Sequence, residues 1–469
     1  MLTYSFDNLN GESMYEYLYK CIRDDILSRK IRAGEKLPSK RVFAKNLDVS
    51  VITVENAYSQ LASEGYIYSL PKKGYFVSKI NDDFSGRNAN PNNYSLPDEA
   101  AKEYFVDFSR NLVAHELFPF TVWTRLLREI TLSEDRSHLL KSAPASGVGE
   151  LKIAIARHLY AFRGMNVLPE QIIIGAGTEY MYGLIIKLFG RDSIFGLEDP
   201  GYTKLNRIYA GNDVTIRFLE MDDGGIIVPG LEDTDVNIVH TSPSHHYPTG
   251  IVMPISRRYE LLSWAKKNEN RYIIEDDYDC EFRLYGKPIP SLQSIDAADK
   301  VIYINTFSKS LAPSFRISYM VLPKSLLPVY RQKLGFYSCT VSAFEQYTLA
   351  EFINQGYFEK HINRMRNYYR SRQNAIIQQI KQSIIAPYVT IQQKNEGLHF
   401  LLKINSDISD ERLIRHAREN GINIACLSAF YTEHSCREHS IVLNYSGVEA
   451  EKCEKAIEIL IKCIAEEIM

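Results

Sequence analysis

Six short apolar runs in the middle of the chain limit its possible folds more than any other feature. Ile172–Ile174, Ile194–Leu197, Val236–Val239, Tyr272–Ile274, Val301–Ile304 and Ile317–Val321 are near-continuously apolar, and helical stretches separate them. A strand that is apolar on both faces must be covered on both faces. The alternation therefore predicts an α/β fold in which a mostly parallel sheet lies between helices. After residue 325 helical signal dominates. Strand candidates near Leu398–Leu402 and Ile441–Asn444 and a final amphipathic helix from 449 predict a small C-terminal α/β subdomain. No repeat at a solenoid period is present.

The first eighty residues follow a different plan. Tyr15, Leu18, Tyr19, Ile22 and Ile26 fall on one helical face. Ser39 is placed to cap a short helix with Val42, Phe43 and Leu47, and Ser50 to cap a third with Val54, Ala57, Tyr58 and Leu61. Gly65 stops that helix, and strands Tyr66–Ser69 and Tyr75–Val77 flank a basic Leu70-Pro71-Lys72-Lys73-Gly74 turn. Three helices and a hairpin of this size make a winged helix-turn-helix. Charge agrees. The whole chain has a formal net charge of −2, but residues 1–80 hold 12 Lys/Arg against 9 Asp/Glu, so a basic segment precedes an acidic body.

Leu37-Pro38-Ser39-Lys40-Arg41, Val49-Ser50-Val51-Ile52-Thr53-Val54, Glu64-Gly65-Tyr66 and Gly74-Tyr75-Phe76-Val77 resemble the GntR-type winged-helix signature. The resemblance implies binding to a double-stranded DNA operator through Ser39, Lys40, Arg41, Ser50, Thr53, Asn56, Lys72 and Lys73. One departure stands out. The recognition helix often carries an arginine directly after its first serine, and here Val51 stands there, in a helix without Lys or Arg. Base reading then falls to Ser50, Thr53, Asn56 and apolar contact with thymine methyls, while the surrounding cations grip phosphate.

Residues 80–104 are rich in Asn, Asp, Gly and Pro and cannot bury a core. They read as a linker between a DNA-binding domain at 1–79 and a body at 105–469. Seven scattered cysteines without CxxC spacing suggest neither a disulfide framework nor a metal site. With no leader and no apolar run of membrane-spanning length, the expectation is a cytoplasmic protein.

Chemistry gathers after the strand ends, where open α/β sheets place ligands. Asn305-Thr306-Phe307-Ser308-Lys309-Ser310 offers an amine among hydroxyls, and Arg316 follows. Glu275-Asp276-Asp277-Tyr278 offers a carboxylate and a phenol; Gly175-Ala176-Gly177-Thr178-Glu179 is a small-residue turn into a helix; Tyr202 leaves another strand. Pyridoxal 5′-phosphate needs all four features. Lys309 would form the Schiff base, Asp276 hold the ring nitrogen, Tyr278 meet the ring hydroxyl and Tyr202 cover the ring. Backbone N–H groups at Gly177, Thr178 and Glu179, with Arg316, would hold the phosphate.

In this order the residues resemble fold-type I aminotransferases, most closely the aminotransferase-like half of the MocR family of transcriptional regulators. The resemblance adds Thr306 and Ser308 to the phosphate and His246 to the ring contacts. It implies a homodimer, with the winged helix packing head-to-tail onto the partner subunit. The function it implies is a regulator that senses pyridoxal phosphate, or an amine or amino acid combining with it. The alternative is a working aminotransferase carrying an accessory DNA-binding domain. Against turnover, the arginine that commonly clamps the substrate carboxylate is missing: Val442 occupies its place in His439-Ser440-Ile441-Val442-Leu443, leaving Lys204 or Arg207 as substitutes.

Overall fold

Serines start the helices of the N-terminal unit. In the computed structural model, which describes residues 2–6, 9, 11–80, 103–132, 137–286, 289–392, 397–436 and 438–468, Ser39 Oγ accepts from Val42 N at 3.4 Å. Ser50 Oγ accepts from Thr53 N at 3.0 Å. Helices α1 (Met14–Leu27), α2 (Lys40–Leu47) and α3 (Val51–Ser63) follow, then the antiparallel hairpin β1 (Ile67–Leu70) and β2 (Gly74–Val77). Gly65 turns the chain after α3 with φ of +79°, a conformation that favours glycine. Leu18, Ile22, Phe43, Val54, Ala57, Tyr58 and Leu61 are completely buried and form one core with the hairpin. Tyr15 and Val42, expected on the inner faces, lie on the outside. The inner face of α2 takes Phe43, Ala44 and Leu47, and Val42 falls just outside it.

The chain divides into two compact units, Met1–Ala100 and Ala101–Met469. Of the expected linker, residues 81–102 lie outside the described residues.

The body begins with β3 (Val106–Asp107) and is built on an eight-stranded sheet. Its strands are β4 (Ile172–Gly175), β5 (Ile194–Asp199), β6 (Thr215–Asp222), β7 (Gly225–Ile226), β8 (Ile238–Thr241), β9 (Tyr272–Asp276), β10 (Val301–Thr306) and β11 (Ser318–Val321). Their spatial order is β4-β11-β10-β9-β8-β5-β6-β7. β6, β5, β8, β9 and β10 pair in parallel. The sheet is mixed because β11 runs antiparallel to both of its neighbours and the short β7 runs antiparallel to β6. The connection from β10 to β11 is the short Lys309 loop rather than a crossover helix, so the chain returns in the opposite direction. Ile273, Ile274, Ile302 and Ile304 are wholly buried in the central strands. Each such side chain contributes roughly 1.5–3 kcal/mol.

β6 was not among the sequence-predicted strands. Its residues alternate between exposed and half-buried near the sheet edge, so no continuous apolar run marks it. At the C-terminal end, β12 (Val389–Gln392), β13 (His399–Ile404) and β15 (Ser440–Asn444) form a three-stranded antiparallel sheet. β14 (Ile422–Asn423) pairs in parallel with β3, tying the first strand of the body to this subdomain. Among the described residues no helix is long and apolar enough to cross a membrane, and no group of side chains could hold a metal ion.

Candidate functional site

The carboxyl ends of the central strands open into a cavity of about 490 Å³. Thr178, Glu179, Tyr202, Asp276, Tyr278, Thr306, Ser308, Lys309 and Arg316 all line it. Residues from five separate strand exits meet there, as expected for an open α/β sheet.

Lys309 sits on a one-turn helix, Phe307–Ser310, directly after β10. Thr306 caps that turn by accepting from Ser308 N at 3.1 Å. The Lys309 ammonium donates to the backbone carbonyl of Asn111. Burial lowers its pKa to about 8, with Asp279 acting in the opposite direction. That leaves about a tenth as free amine at pH 7, against less than one part in a thousand at the ordinary lysine value, and the free amine is the nucleophile.

Asp276 ends β9 and is buried. Its Oδ2 accepts from Tyr182 Oη and lies 3.4 Å from His240 Nε2. Its Oδ1 is buried and has no hydrogen-bond partner among the described residues. A buried carboxylate oxygen without a donor costs free energy, about 1–3 kcal/mol or more. A protonated pyridine nitrogen would relieve that cost. Asp277, one residue on, points to the opposite side of the strand, where Arg163 Nη2 reaches its Oδ2 at 2.5 Å.

Tyr278 Oη lies 3.2 Å from His245 Nδ1, which also approaches Asp279 Oδ2 at 2.9 Å. Tyr202 caps the helix Thr203–Ala210 and meets Tyr247 edge-on, the ring centroids 6.0 Å apart.

The anion-holding end is equally specific. Gly177 precedes the helix Thr178–Phe189 with φ of +90°, and a Cβ there would collide with the Arg316 guanidinium. Glycine thus lets Arg316 lie across the helix N-terminus, where free N–H groups and the helix dipole favour an anion. The Glu179 carboxylate pairs with Lys204 and lies 3.8 Å from Arg316 Nη2.

Not every expected residue reaches the cavity. His246 is buried outside the lining, its Nδ1 2.6 Å from Thr249 Oγ1 and its Nε2 3.4 Å from Glu198 Oε2; Tyr247 lines the cavity instead. Of the two substitutes for the missing arginine, Lys204 lines the mouth and Arg207 does not. Val442 is fully buried in an apolar cluster with Leu401, Leu427 and Phe430.

On the N-terminal unit, Arg41, Asn56, Lys72 and Lys73 are exposed. Lys40 pairs with Glu55 at 2.7 Å. The Ser50 and Thr53 hydroxyls lie 2.8 Å apart at the start of α3, committed first to the helix cap. Val51 and Ile52, 42% and 68% exposed, present an apolar surface beside them.

The family described as "Aminotransferase class I and II" matches residues 105–460, and the one described as "Bacterial regulatory proteins, gntR family" matches residues 14–77. The uncharacterized HTH-type transcriptional regulator YdeL of Bacillus subtilis is 38% identical over 448 residues, covering 95% of this chain and 96% of YdeL. The probable rhizopine catabolism regulatory protein MocR of Rhizobium meliloti is 29% identical over 467 residues, covering 95% and 93% of the two chains. This chain belongs to the MocR-type transcriptional regulators. Its two parts are a GntR-type DNA-binding domain and an aminotransferase-like domain. A Pyrococcus horikoshii kynurenine aminotransferase structure, in complex with PMP, superposes with a TM-score of 0.69 at 25% identity, covering 79% of this chain and 93% of that one. The class I and II aminotransferase family is pyridoxal phosphate-dependent.

This MocR-type regulator also places residues at the cavity that sequence reading missed. Tyr182 lies one helical turn beyond Thr178, a spacing that could have drawn attention to it. His240 and Glu198 close strands β8 and β5. Burial pushes the Glu198 carboxyl up to about 8, against hydrogen bonds from Thr241 Oγ1 and Ser242 N. Arg110 and Asn111 arrive because β3 pairs with β14, a contact between distant segments with no local signature.

Proposed function

We propose that the body of this regulator holds pyridoxal 5′-phosphate, and that the cofactor, or a primary amine or amino acid combining with it, sets the affinity of the N-terminal unit for operator DNA. The observation that carries the reading is one cavity containing both a lysine amine held toward its free base and a buried carboxylate with one bare oxygen. When bound, the cofactor supplies an aldehyde that takes a primary amine and a ring that withdraws electrons. Lys309 would take the aldehyde, and Asp276 Oδ1 would accept a hydrogen bond from the protonated ring nitrogen and keep it charged. Tyr278 would meet the ring hydroxyl, and Tyr202 would cover the ring. Gly177, Thr178 and Glu179 through their N–H groups, with Thr306, Ser308 and Arg316, would hold the phosphate.

Two copies of the chain would read two half-sites, as winged-helix dimers do, and a head-to-tail homodimer would bring this about. Turnover as an aminotransferase is supported by the same lysine, aspartate and tyrosine. The apolar surroundings of Val442, where a carboxylate clamp would stand, favour a sensor over a catalyst.

The test uses duplexes selected by the full chain from a randomised pool. Their affinity is measured with and without pyridoxal phosphate, for the unaltered protein and Lys309→Ala. The unaltered protein should carry a borohydride-fixed pyridoxyl group and shift its DNA affinity about 5- to 150-fold. Lys309→Ala should lose both. Undiminished labelling of the variant, or equal affinities throughout, would overturn the proposal.

A further inference from the structure

A second cavity, of about 160 Å³, lies between the helices Gly149–Arg163 and Tyr357–Lys381 and shares no lining residue with the first. Its inner wall holds two buried polar atoms without a hydrogen-bond partner among the described residues: Glu281 Oε2 and His158 Nε2. The Glu281 side chain is essentially inaccessible, at 3% exposure; one carboxyl oxygen has a 3.5 Å contact with Asn305 Nδ2, and hydrogen bonds with its own backbone N–H and the Cys280 side chain favour the ionised form. Phe162, Phe358 and Ile362 supply apolar walls, and Glu359, Asn363 and Arg366 the rest of the polar lining.

The donor–acceptor balance is lopsided. Burial keeps His158 neutral, its pKa lowered to about 4, so one ring nitrogen accepts, and Nε2 does so in the tautomer that carries its proton on Nδ1. Glu281, raised to about 7 by burial, accepts when ionised. The fixed cation present, Arg366, is committed elsewhere: its Nε donates to the backbone carbonyl of Glu281 at 2.5 Å, and its guanidinium lies 5.4 Å from the Phe162 ring centroid. An anion would meet two carboxylates. A single water, occupying about 30 Å³, would leave most of the space and all of its aromatic wall unfilled. A group with several N–H donors and a short apolar tail satisfies every wall, and aromatic faces favour a cation further.

We propose that this second cavity binds the primary ammonium group of a small aliphatic amine, held by the Glu281 carboxylate and the His158 imidazole with its chain against Phe162 and Phe358. Binding is non-covalent and needs neither Lys309 nor the cofactor.

The test is calorimetric titration of full-length Lys309→Ala protein with n-propylammonium chloride, above the pH at which Glu281 titrates and in an amine-free buffer. Preparing this variant free of pyridoxal phosphate removes both the lysine and the aldehyde that would otherwise react with the amine at the first cavity. Millimolar binding is expected, weakened at least tenfold by Glu281→Gln. The uncharged isostere 1-propanol should bind at least tenfold more weakly to the Lys309→Ala protein, a measurement that stands even where Glu281→Gln fails to fold. Absence of saturable binding, equal affinity for propanol, or a Glu281→Gln protein that binds the amine as before would each overturn the assignment. Failure of cofactor binding at the first cavity would leave this titration unchanged, so the two proposals fail separately.

Discussion

The two units of this regulator treat their polar side chains in opposite ways. In the N-terminal unit the serines that open α2 and α3 cap their helices, Lys40 is paired with Glu55, and the core is apolar and closed. Every buried side-chain nitrogen or oxygen lacking a partner among the described residues lies in the body. Unsatisfied buried groups are costly, and a fold keeps them where something else completes them. The N-terminal unit is finished as a structure and acts through its surface. The body buries Asp276 Oδ1 without a partner among the described residues at the point where its chemistry would occur.

The largest expected effect tests the closed core. Leu61→Ala removes a fully buried side chain from the small N-terminal unit, and about 2–5 kcal/mol of its stability should go with it. The loss should appear as a lower-temperature transition confined to that unit, with cofactor labelling of the body intact. A fall in both together would show that the units do not unfold independently.

Asp276→Asn tests the opposite strategy. Replacing the carboxylate removes a charge-assisted contact worth about 1.5–3 kcal/mol, so pyridoxal phosphate should bind about 10- to 150-fold more weakly while the thermal transition of the empty protein is maintained or raised. Unaltered affinity would place the ring's counter-charge elsewhere.

A smaller effect follows from Lys309. Its pKa is depressed to about 8 by burial, so the free amine predominates above that value and falls about tenfold per pH unit below it. The rate of cofactor capture by empty protein should rise with pH and level off near 8. A plateau reached only near the ordinary lysine value would mean that the ammonium is solvated.

Ser50→Ala should change least and sharpen the contrast most. As a helix cap, Ser50 contributes about 1 kcal/mol. Ser50→Asp should restore the melting temperature, because aspartate also caps, while placing an anion beside phosphate. Recovered stability without recovered DNA affinity would separate the capping role from contact with DNA.

Sequence was informative where local physics decides. Continuous apolar runs located the buried strands, and serines before apolar periodicity located two helix starts. Lys309, Asp276 and Tyr278 were legible because their chemistry is unusual at a strand end. β6 was not, since a strand beside the sheet edge and half in solvent carries no apolar run. Asn111, Glu198 and His240 escaped notice because each becomes significant only when the sheet order brings distant strand ends together. Val42 shows the limit of periodicity itself: Phe43 and Leu47 are buried as expected, but the third inward position belongs to Ala44, whose small side chain gives no signal.

Asp276 faces the first cavity and Glu281 the second, and residues 277–280 are all that separates them. That short bridge is pinned along its length. Asp277 is pinned by Arg163, its carbonyl by Asn305 Nδ2, Asp279 by His245, and the carbonyl of Glu281 by Arg366. A strut fastened at so many points has little freedom to absorb a displacement at one end. In the language of double-mutant cycles, Asp276 and Glu281 are neighbours along one stiff connection, and perturbations at the two positions should not be treated as independent.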